Sequence, residues 1–264
     1  MCIRDRYVNT VDLEERAWEE RAQPCVNMIN DIKPDIIGLQ EPRAVQREDL
    51  IASLTDYVYF SPADLGVEDS QSGYVGIMYK KDRFKVLDKG GFWLSPTPDE
   101  ASCPEWGATD TQIRMAIWLF LHDNEADKDF YICNTHLPYK SPDIAARTAC
   151  VQLIIERMKE KAGRVYPIFI TGDMNMSYAT NDSRRTSLEG FYEWLWSARD
   201  EAENANPSVY SFNNFGDSTP AATWNIDHIF YRLVEPLTFT TITNGDYGVK
   251  YISDHYPILL EAKY

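Results

Sequence analysis

The sequence predicts an α/β fold in which two β-sheets are stacked and helices cover their outer faces. Short apolar runs bounded by turn-forming residues recur along the chain, for example in residues 36–40 and 166–170, and such runs are typical of buried strands. Longer segments with apolar side chains at helical spacing, for example residues 14–32, lie between some of these runs. Strands and helices alternate along the whole length and strands are the more numerous, which fits two sheets with helices outside.

The length and composition predict one ordinary globular domain. The chain has 264 residues, of which 44% are hydrophobic and 25% are charged. No internal repeat or low-complexity linker divides it, so we expect residues 1–264 to form a single domain and the protein to be a monomer. The formal net charge of -15 disfavours a protein that holds nucleic acid through a broad basic face. A nuclease remains compatible with this charge, because a bound divalent metal supplies local positive charge.

The sequence shows no membrane or secretion signal. No apolar run approaches the roughly 20 residues that a membrane-spanning helix needs. Residues 1–6 lack the apolar segment of a signal peptide, so we expect a soluble protein and leave its compartment open. The five cysteines are scattered, odd in number and without C-x-x-C spacing, which predicts free thiols rather than disulfides or a zinc site. We expect Cys133 and Cys150 to be buried.

In the first half of the chain, apolar spacing predicts a helix over residues 14–32, with Pro24 as a possible kink and Lys33-Pro34 as its end. Alternation and β-branched or aromatic residues predict the strands after this helix. These strands are expected at 36–40, 57–60, 74–80 and 84–93, with a second helix at 45–54. Residues 95–110 are rich in Pro, Asp and Glu and predict a loop.

In the second half, residues 113–122 and 129–135 predict paired strands around an acidic turn at 123–127. A helix is expected over 142–161, because Pro142 suits the first turn of a helix. The remaining predicted elements are a strand beginning at Tyr166, a helix at 186–197, and strands at 225–232, 237–243 and 257–262.

Polar side chains stand where the predicted strands end or begin. Carboxylate and amide oxygens suit a hard cation such as Mg²⁺, and histidine suits proton transfer near neutral pH. The groups are Gln40-Glu41, Asn134-Thr135-His136, Asp173 with Asn175, Asn225-Ile226-Asp227-His228, and Ser253-Asp254-His255.

Each group also has a purely structural interpretation. Glu41 suits a cap of the following helix, because acids favour helix N-termini. Asp173–Asn175 suits an Asx-type turn, and His136 suits a core histidine with its hydrogen bonds satisfied. Asp227 could stabilise a turn, and residues 254–255 could belong to a solvent-exposed loop. Five such groups at strand ends of one domain favour a shared site over five coincidences.

The same segments resemble the ordered motifs of the endonuclease/exonuclease/phosphatase superfamily. The superfamily contains deoxyribonuclease-like nucleases, neutral sphingomyelinases and inositol-phosphate phosphatases. The segments are DIIGLQE at 35–41, NTH at 134–136, TGDMN at 171–175, IDHIF at 226–230 and SDHYP at 253–257. The segment GFWLSPTP at 91–98 further resembles a bacterial branch usually described only as metal-dependent hydrolases.

The resemblance implies a deoxyribonuclease I-like, four-layer sandwich of two mostly antiparallel sheets flanked by helices. It also implies roles for individual residues. Glu41 and Asp254 resemble the metal-binding acids, and Asp173 with Asn175 resembles the pair that orients the attacking water and contacts the phosphate. His255 resembles the catalytic histidine, Asp227 its orienting aspartate, and His136 a second histidine of the deoxyribonuclease and sphingomyelinase branches.

The N-terminus departs from the pattern of the superfamily. Relatives normally open with a strand that ends in Asn-Ile-Arg or a similar triplet, and that Asn belongs to the site. Residues 6–9 resemble the stretch after this Asn, but the expected position of the Asn is occupied by Arg4, or by Cys2 in another register. Residues 1–6 also make a poor central strand, so we expect the native N-terminal strand, and any secretion signal before it, to be truncated or replaced.

These observations predict a phosphoesterase that depends on Mg²⁺ or Mn²⁺ and hydrolyses a phosphodiester or phosphomonoester by in-line attack of water. The acidic balance favours a small phosphodiester, a lipid head group or a sugar phosphate as substrate. Arg114 is a candidate phosphate contact, with a solvated strand residue as the structural alternative.

Two other functions stay open. A nuclease on the same scaffold would need a basic, aromatic-lined groove. Trp93, Trp106, Tyr139 and Trp224 suit either such a groove or a small-molecule pocket. A binding protein that keeps the fold without catalysis is supported only by the absent Asn.

Overall fold

The computed structural model of the chain describes residues 1–4, 16–178, 183–208, 210–243, 245 and 247–264. Two large, mostly antiparallel β-sheets pack face to face in it, and helices cover their outer faces. The sandwich predicted from the sequence is therefore confirmed. None of the helices in the described ranges is both long and apolar enough to cross a membrane.

The strands fall into one sheet of seven and one sheet of six. In chain order they are β1 (Cys2–Arg4), β2 (Ile36–Gln40), β3 (Tyr57–Phe60), β4 (Val75–Lys80), β5 (Phe84–Trp93), β6 (Met115–Asp123), β7 (Lys128–His136), β8 (Ile168–Asp173), β9 (Trp196–Ser197), β10 (Asn204–Asn206), β11 (Asp227–Arg232), β12 (Glu235–Thr241) and β13 (Ile258–Lys263). The first sheet has the order β10-β12-β13-β1-β2-β4-β3, and the second has the order β5-β6-β7-β8-β11-β9.

Helices pack against the outer face of each sheet. They are α1 (Trp18–Ile32), α2 (Ala44–Ser53), α3 (Ile144–Ala162), α4 (Glu189–Trp194) and α5 (Ala198–Glu201). Side chains of α1 and α2 share an apolar cluster with β2 and β4 of the first sheet. The buried face of α3, at Cys150, Ile154 and Met158, packs on the second sheet because these positions repeat at helical spacing. A fully buried side chain such as Ile154 contributes about 1.5–3 kcal/mol relative to an exposed one.

One buried side chain ties the two sheets together. Asn134 in β7 donates from Nδ2 to the carbonyl oxygens of Leu39 at 2.8 Å and Gly76 at 2.9 Å, both in the first sheet. Its Oδ1 accepts from Gln40 Nε2 at 2.7 Å and from Thr171 Oγ1 at 2.9 Å. All four hydrogen-bonding positions of the amide are thus filled inside the sandwich. The sequence placed Asn134 among the polar strand-end groups, and the structure gives its side chain a role in sheet packing.

Most predicted elements are present, and most of their ends differ by one or two residues. The first helix begins at Trp18 instead of residue 14, although residues 14–15 lie outside the described part of the chain. The prediction of one helix over residues 186–197 is wrong. Residues Ser183–Leu188 form a 3-10 helix, α4 is short, and β9 follows it directly. Leu195 adopts an extended conformation, which lets Trp196 and Ser197 pair with the edge of β11. A tertiary edge that offers backbone hydrogen bonds has overridden the local helical pattern.

The N-terminal residues also differ from the expectation. Although they were expected to make a poor central strand, Cys2–Arg4 form β1 between β13 and β2. The reason is backbone pairing: β1 runs parallel to β2 and antiparallel to β13, and the Met1 amino group donates to the carbonyl oxygen of Ile36 at 2.7 Å. The segment 6–9, which the sequence aligned with the superfamily's N-terminal motif, lies outside the described residues.

Candidate active site

Glu41 comes directly after β2 in a conformation that non-glycine residues avoid. Its φ is 60°, and its N–H donates to the carbonyl oxygen of Tyr74 at 2.7 Å. Left-handed backbone at a non-glycine residue costs of order 1–3 kcal/mol and is concentrated at functional sites. The side chain is 15% exposed and lies beside His136. Glu41 therefore points into the protein and is not a solvent-exposed cap of α2.

His136 is the last residue of β7 and is 1% exposed. Its Nδ1 lies 3.8 Å from a Glu41 carboxylate oxygen, and its Nε2 lies 3.4 Å from Asp173 Oδ2. The imidazole therefore stands between two carboxylates that belong to different sheets. An imidazole in that position relieves the repulsion between the two acids when it carries a proton.

Asp173 and Asn175 owe their positions to the close approach of β7 and β8. A Cβ on Gly172 would lie 2.2 Å from the Thr135 carbonyl oxygen, so only glycine allows this ladder. Asp173 is fully buried and accepts from the Asn175 N–H at 2.8 Å. Asn175 has a φ of 51° and donates from Nδ2 to the Leu137 carbonyl oxygen at 2.9 Å. The Asx-type turn exists, and it lies inside the group of polar side chains.

Asp227 links β11 to the same group. In the antiparallel β8–β11 ladder it stands opposite Asp173. Its Oδ2 lies 2.7 Å from His255 Nδ1, and both side chains are at most 2% exposed. Because a carboxylate accepts, Nδ1 carries the proton in this bond. Ligand atoms of Asp173, Asp227 and His255 all lie within 4.8 Å of one another.

The segment before His255 is fixed by residues 212–214, which lie between the predicted helix at 186–197 and the predicted strand at 225–232. Phe212 forms an isolated antiparallel bridge with His255, and its ring centroid lies 4.9 Å from the imidazole centroid. The backbone N–H groups of Asn213 and Asn214 donate to the Asp254 carbonyl oxygen at 2.7 Å and 3.0 Å. Sequence reasoning missed Phe212, because an aromatic residue in a polar, Gly- and Pro-containing stretch carries no strand signal.

The predicted site residues thus fall into three sets. Side-chain distances and the β8–β11 ladder join six of them into one group: Glu41, His136, Asp173, Asn175, Asp227 and His255. Asp254 is 5% exposed and adjoins this group as the residue before His255. Arg114 is buried just before β6, whose ladder pairs Ala116 with Thr135, so its segment lies beside the His136 end of β7. Its guanidinium binds Asp110 at 2.9 Å, which replaces the predicted solvated alternative with a buried ion pair.

A family model described as the Endonuclease/Exonuclease/phosphatase family matches residues 12–255. The chain belongs to this family. The match spans most of the chain and includes the segments at 35–41, 134–136, 171–175 and 226–230 on which the resemblance was based.

Family members of known structure share the fold closely. An endonuclease/exonuclease/phosphatase protein from Bacteroides vulgatus is 27% identical with a TM-score of 0.85, covering 99% of this chain and 97% of that one. A mannosyl-6-phosphatase from Bacteroides thetaiotaomicron is 25% identical with a TM-score of 0.80, covering 94% of this chain and 92% of that one.

One protein with a similar sequence comes from a virus. An uncharacterized protein of Acanthamoeba polyphaga mimivirus is 34% identical over 93% of this chain, and the chain spans 40% of that protein's length. Similar proteins thus come from a virus as well as from bacteria, so the bacterial origin that the resemblance at residues 91–98 implied finds no support.

Proposed function

We propose that this protein is a divalent-metal-dependent phosphoesterase that hydrolyses a phosphodiester or phosphomonoester by in-line attack of water. The observation that supports it most is the convergence of Asp173, Asp227 and His255, which are distant in sequence and buried together. Burying acids and imidazoles lowers the free energy of unfolding unless these groups pair with each other or with a ligand. The chain belongs to a family of phosphate-ester hydrolases, so we assign this chemistry to the buried group.

The residues assigned to the metal fit a hard cation. Glu41 offers a carboxylate on a constrained backbone, with its side chain 15% exposed. Asp254, the buried residue before His255, is assigned as the second carboxylate. Oxygen ligands from one or two carboxylates are what Mg²⁺ and Mn²⁺ take in phosphoryl-transfer sites. When bound, such a metal polarises a phosphoryl oxygen and offsets the charge of the leaving group.

Asp173 is assigned to the water and Asn175 to the phosphate. Asp173 is buried and faces His136 at 3.4 Å, so its carboxylate is positioned to accept a proton from an attacking water or to orient it. Asn175 is held beside Asp173 by the hydrogen bond from its own N–H. An amide held this rigidly binds a phosphoryl oxygen with little loss of conformational freedom.

His255 and His136 are assigned to the charge that develops on the phosphoryl group. Asp227 fixes the His255 ring through Nδ1. Once Nε2 is protonated, the ring donates from it to a phosphoryl oxygen. His136 stands between Glu41 and Asp173 and, when protonated, adds a second positive group to the site. Arg114 is assigned to the substrate phosphate, since one contact with Asp110 leaves other N–H groups of its guanidinium available.

Among substrates we favour a small phosphate ester, with a sugar phosphate first. The protein from Bacteroides thetaiotaomicron is a mannosyl-6-phosphatase, and its structure matches 94% of this chain with a TM-score of 0.80. The formal net charge of -15 works against binding a polyanion over a wide surface.

The test is a substrate panel with purified protein in Mg²⁺ or Mn²⁺, and with His255→Ala as the matched control. The panel contains a hexose 6-phosphate, bis-p-nitrophenyl phosphate, a phosphocholine lipid, and single- and double-stranded DNA. We expect metal-dependent phosphate-ester hydrolysis that is lost in the control, with the sugar phosphate preferred. Preferred cleavage of DNA would favour the nuclease alternative, and no hydrolysis of any member would contradict the proposal.

A further inference from the structure

The segment from Met174 to Tyr178, which we call the Asn175 segment, leaves β8 and runs beside the start of β11. The Met174 N–H donates to the Ile226 carbonyl oxygen at 2.9 Å, and the Tyr178 N–H donates to the Asn225 carbonyl oxygen at 3.3 Å. Between these two bonds the backbone has to turn through Asn175 at its positive φ of 51°. Asn175 itself is bound to Asp173 through its N–H and to Leu137 through its side chain. An attachment of the residue that follows it would hold this unfavourable conformation from the other side of the turn.

His228 makes that attachment. Its Nε2 lies 2.6 Å from the carbonyl oxygen of Met176, the residue after Asn175. A carbonyl oxygen only accepts, so the proton is on Nε2. His228 is fully buried, and burial lowers its pKa to about 4, which keeps the ring neutral at physiological pH. The imidazole is thus a fixed hydrogen-bond donor aimed at the turn.

Aromatic stacking holds the imidazole in place. The ring of Tyr178 stacks on it with centroids 3.9 Å apart and an interplanar angle of 19°. The ring of Phe230 lies on it at 5.4 Å and 10°, and the Arg199 guanidinium lies over the Tyr178 ring at 4.6 Å. A ring held in this way cannot swing its N–H away from Met176 without disturbing the packing of β11.

We propose that His228 is a positioning residue: its Nε2–H, bound to the Met176 carbonyl oxygen, holds Asn175 in its left-handed conformation beside Asp173. This role rests on the proposed function in so far as Asn175 acts on phosphate. His228 itself has no place in the catalytic group, and its neighbour Asp227 points instead to His255. His228 could act as a hydrogen-bond donor or only as a packed ring. Substitutions that keep one of these two properties and remove the other can separate the two roles.

Two variants separate the two properties. His228→Phe keeps an aromatic ring between Tyr178 and Phe230 and removes the donor. His228→Gln removes the ring, and its amide nitrogen reaches about as far as Nε2, so the donor is kept. His122→Phe serves as the control. His122 lies at the end of β6 that is far from His136, and its Nδ1 lies 2.7 Å from Asp129.

The first readout is amide hydrogen exchange in the absence of substrate, which does not depend on any activity. In His228→Phe we expect exchange at the amides of Asn175 and Tyr178 to be about tenfold faster, the effect of one lost hydrogen bond. The β8 amides before Asp173 should exchange as in the parent. His228→Gln and His122→Phe should resemble the parent throughout. Parental exchange in His228→Phe, or equally fast exchange in His228→Gln and His228→Phe, would overturn the proposal.

The second readout is kcat/KM on whichever panel substrate the parent hydrolyses. His228→Phe should lose about tenfold, and His228→Gln should recover most of that loss. In an Asn175→Ala background, His228→Phe should have no further effect, because both changes disable the same element. A parent without activity would contradict the proposed function alone, while the exchange result would still decide the role of His228.

Discussion

Asp173 and Asp227 stand opposite each other in the β8–β11 ladder, with exposed fractions of 0% and 2%. Two like charges directly across a ladder destabilise a sheet, and burial increases the cost. His136 faces one carboxylate at 3.4 Å and His255 binds the other at 2.7 Å, so each acid has an imidazole beside it. When they carry a proton, the two imidazoles offset the repulsion between the acids.

The Asp227–His255 pair should behave as one unit in catalysis. His255→Ala should lower kcat/KM by roughly 10²–10⁴-fold, as expected for loss of an acid–base group. Asp227→Asn keeps the shape of the side chain but no longer fixes the ring through a carboxylate. The double variant should therefore be no worse than His255→Ala alone. The measurement is kcat/KM for both single variants and the double, and strictly additive losses would mean that the two residues act separately.

Glu41→Gln should weaken metal binding by at least about tenfold, because an amide replaces the charged ligand at the end of β2. Titration with Mn²⁺, followed by calorimetry or by paramagnetic resonance, measures this without substrate. Glu48→Gln is the matched control, since Glu48 is an exposed acid on the nearby helix α2. Identical Mn²⁺ titrations for Glu41→Gln and the parent would remove Glu41 from the metal site.

Gly172→Ala should destabilise the fold and the site together. The new Cβ would lie 2.2 Å from the backbone carbonyl oxygen of Thr135, and backbone yields less readily than a side chain. Overpacking of this kind costs about 1–3 kcal/mol, which urea unfolding will detect. Gly190→Ala is the control, because its Cβ would meet the flexible end of Ile155 at 2.9 Å. Equal unfolding free energies for the two variants would show that β7 and β8 tolerate separation.

His228 should make the fold sensitive to acid. Burial is the main reason that its pKa falls to about 4, and the Arg199 and Arg185 guanidinium groups act in the same direction, while the Met176 carbonyl and Asp227 oppose them. In the unfolded chain a histidine takes up its proton near about pH 6.5, so acid stabilises the unfolded state first. This contribution to stability is present above about pH 6.5 and is lost as the pH falls toward 4.

The comparison that checks it is the unfolding free energy of the parent and of His228→Phe at about pH 7.5 and about pH 4.5. The loss between the two pH values should be about 2–3 kcal/mol smaller in the variant, whatever its stability at neutral pH. Parallel pH dependence of parent and variant would show that His228 is protonated in the fold as readily as in the unfolded chain.

Several features could be predicted from the sequence because they depend on local patterns. Apolar alternation and turn residues located β3 and β5 with their observed bounds, since strand formation there needs only a half-buried surface and a clear end. The motifs around Glu41, Asp173 and His255 marked strand ends, where α/β folds place polar groups. The burial of Cys133 and Cys150 followed from their positions in an apolar strand and on an amphipathic helix face.

Only the tertiary structure decided the features that depend on contacts between distant segments. The edge of β11 turned Trp196 and Ser197 into a strand, although the local pattern favoured a helix. The cross-sheet bonds of Asn134 gave a motif residue a packing role, and the Phe212 bridge placed a loop against His255. Such contacts form between residues far apart in the chain, and their energies depend on geometry that no local window of sequence contains. The residue types at the strand ends were therefore readable in the sequence, but their distances and their pairing were set by the stacking of the two sheets.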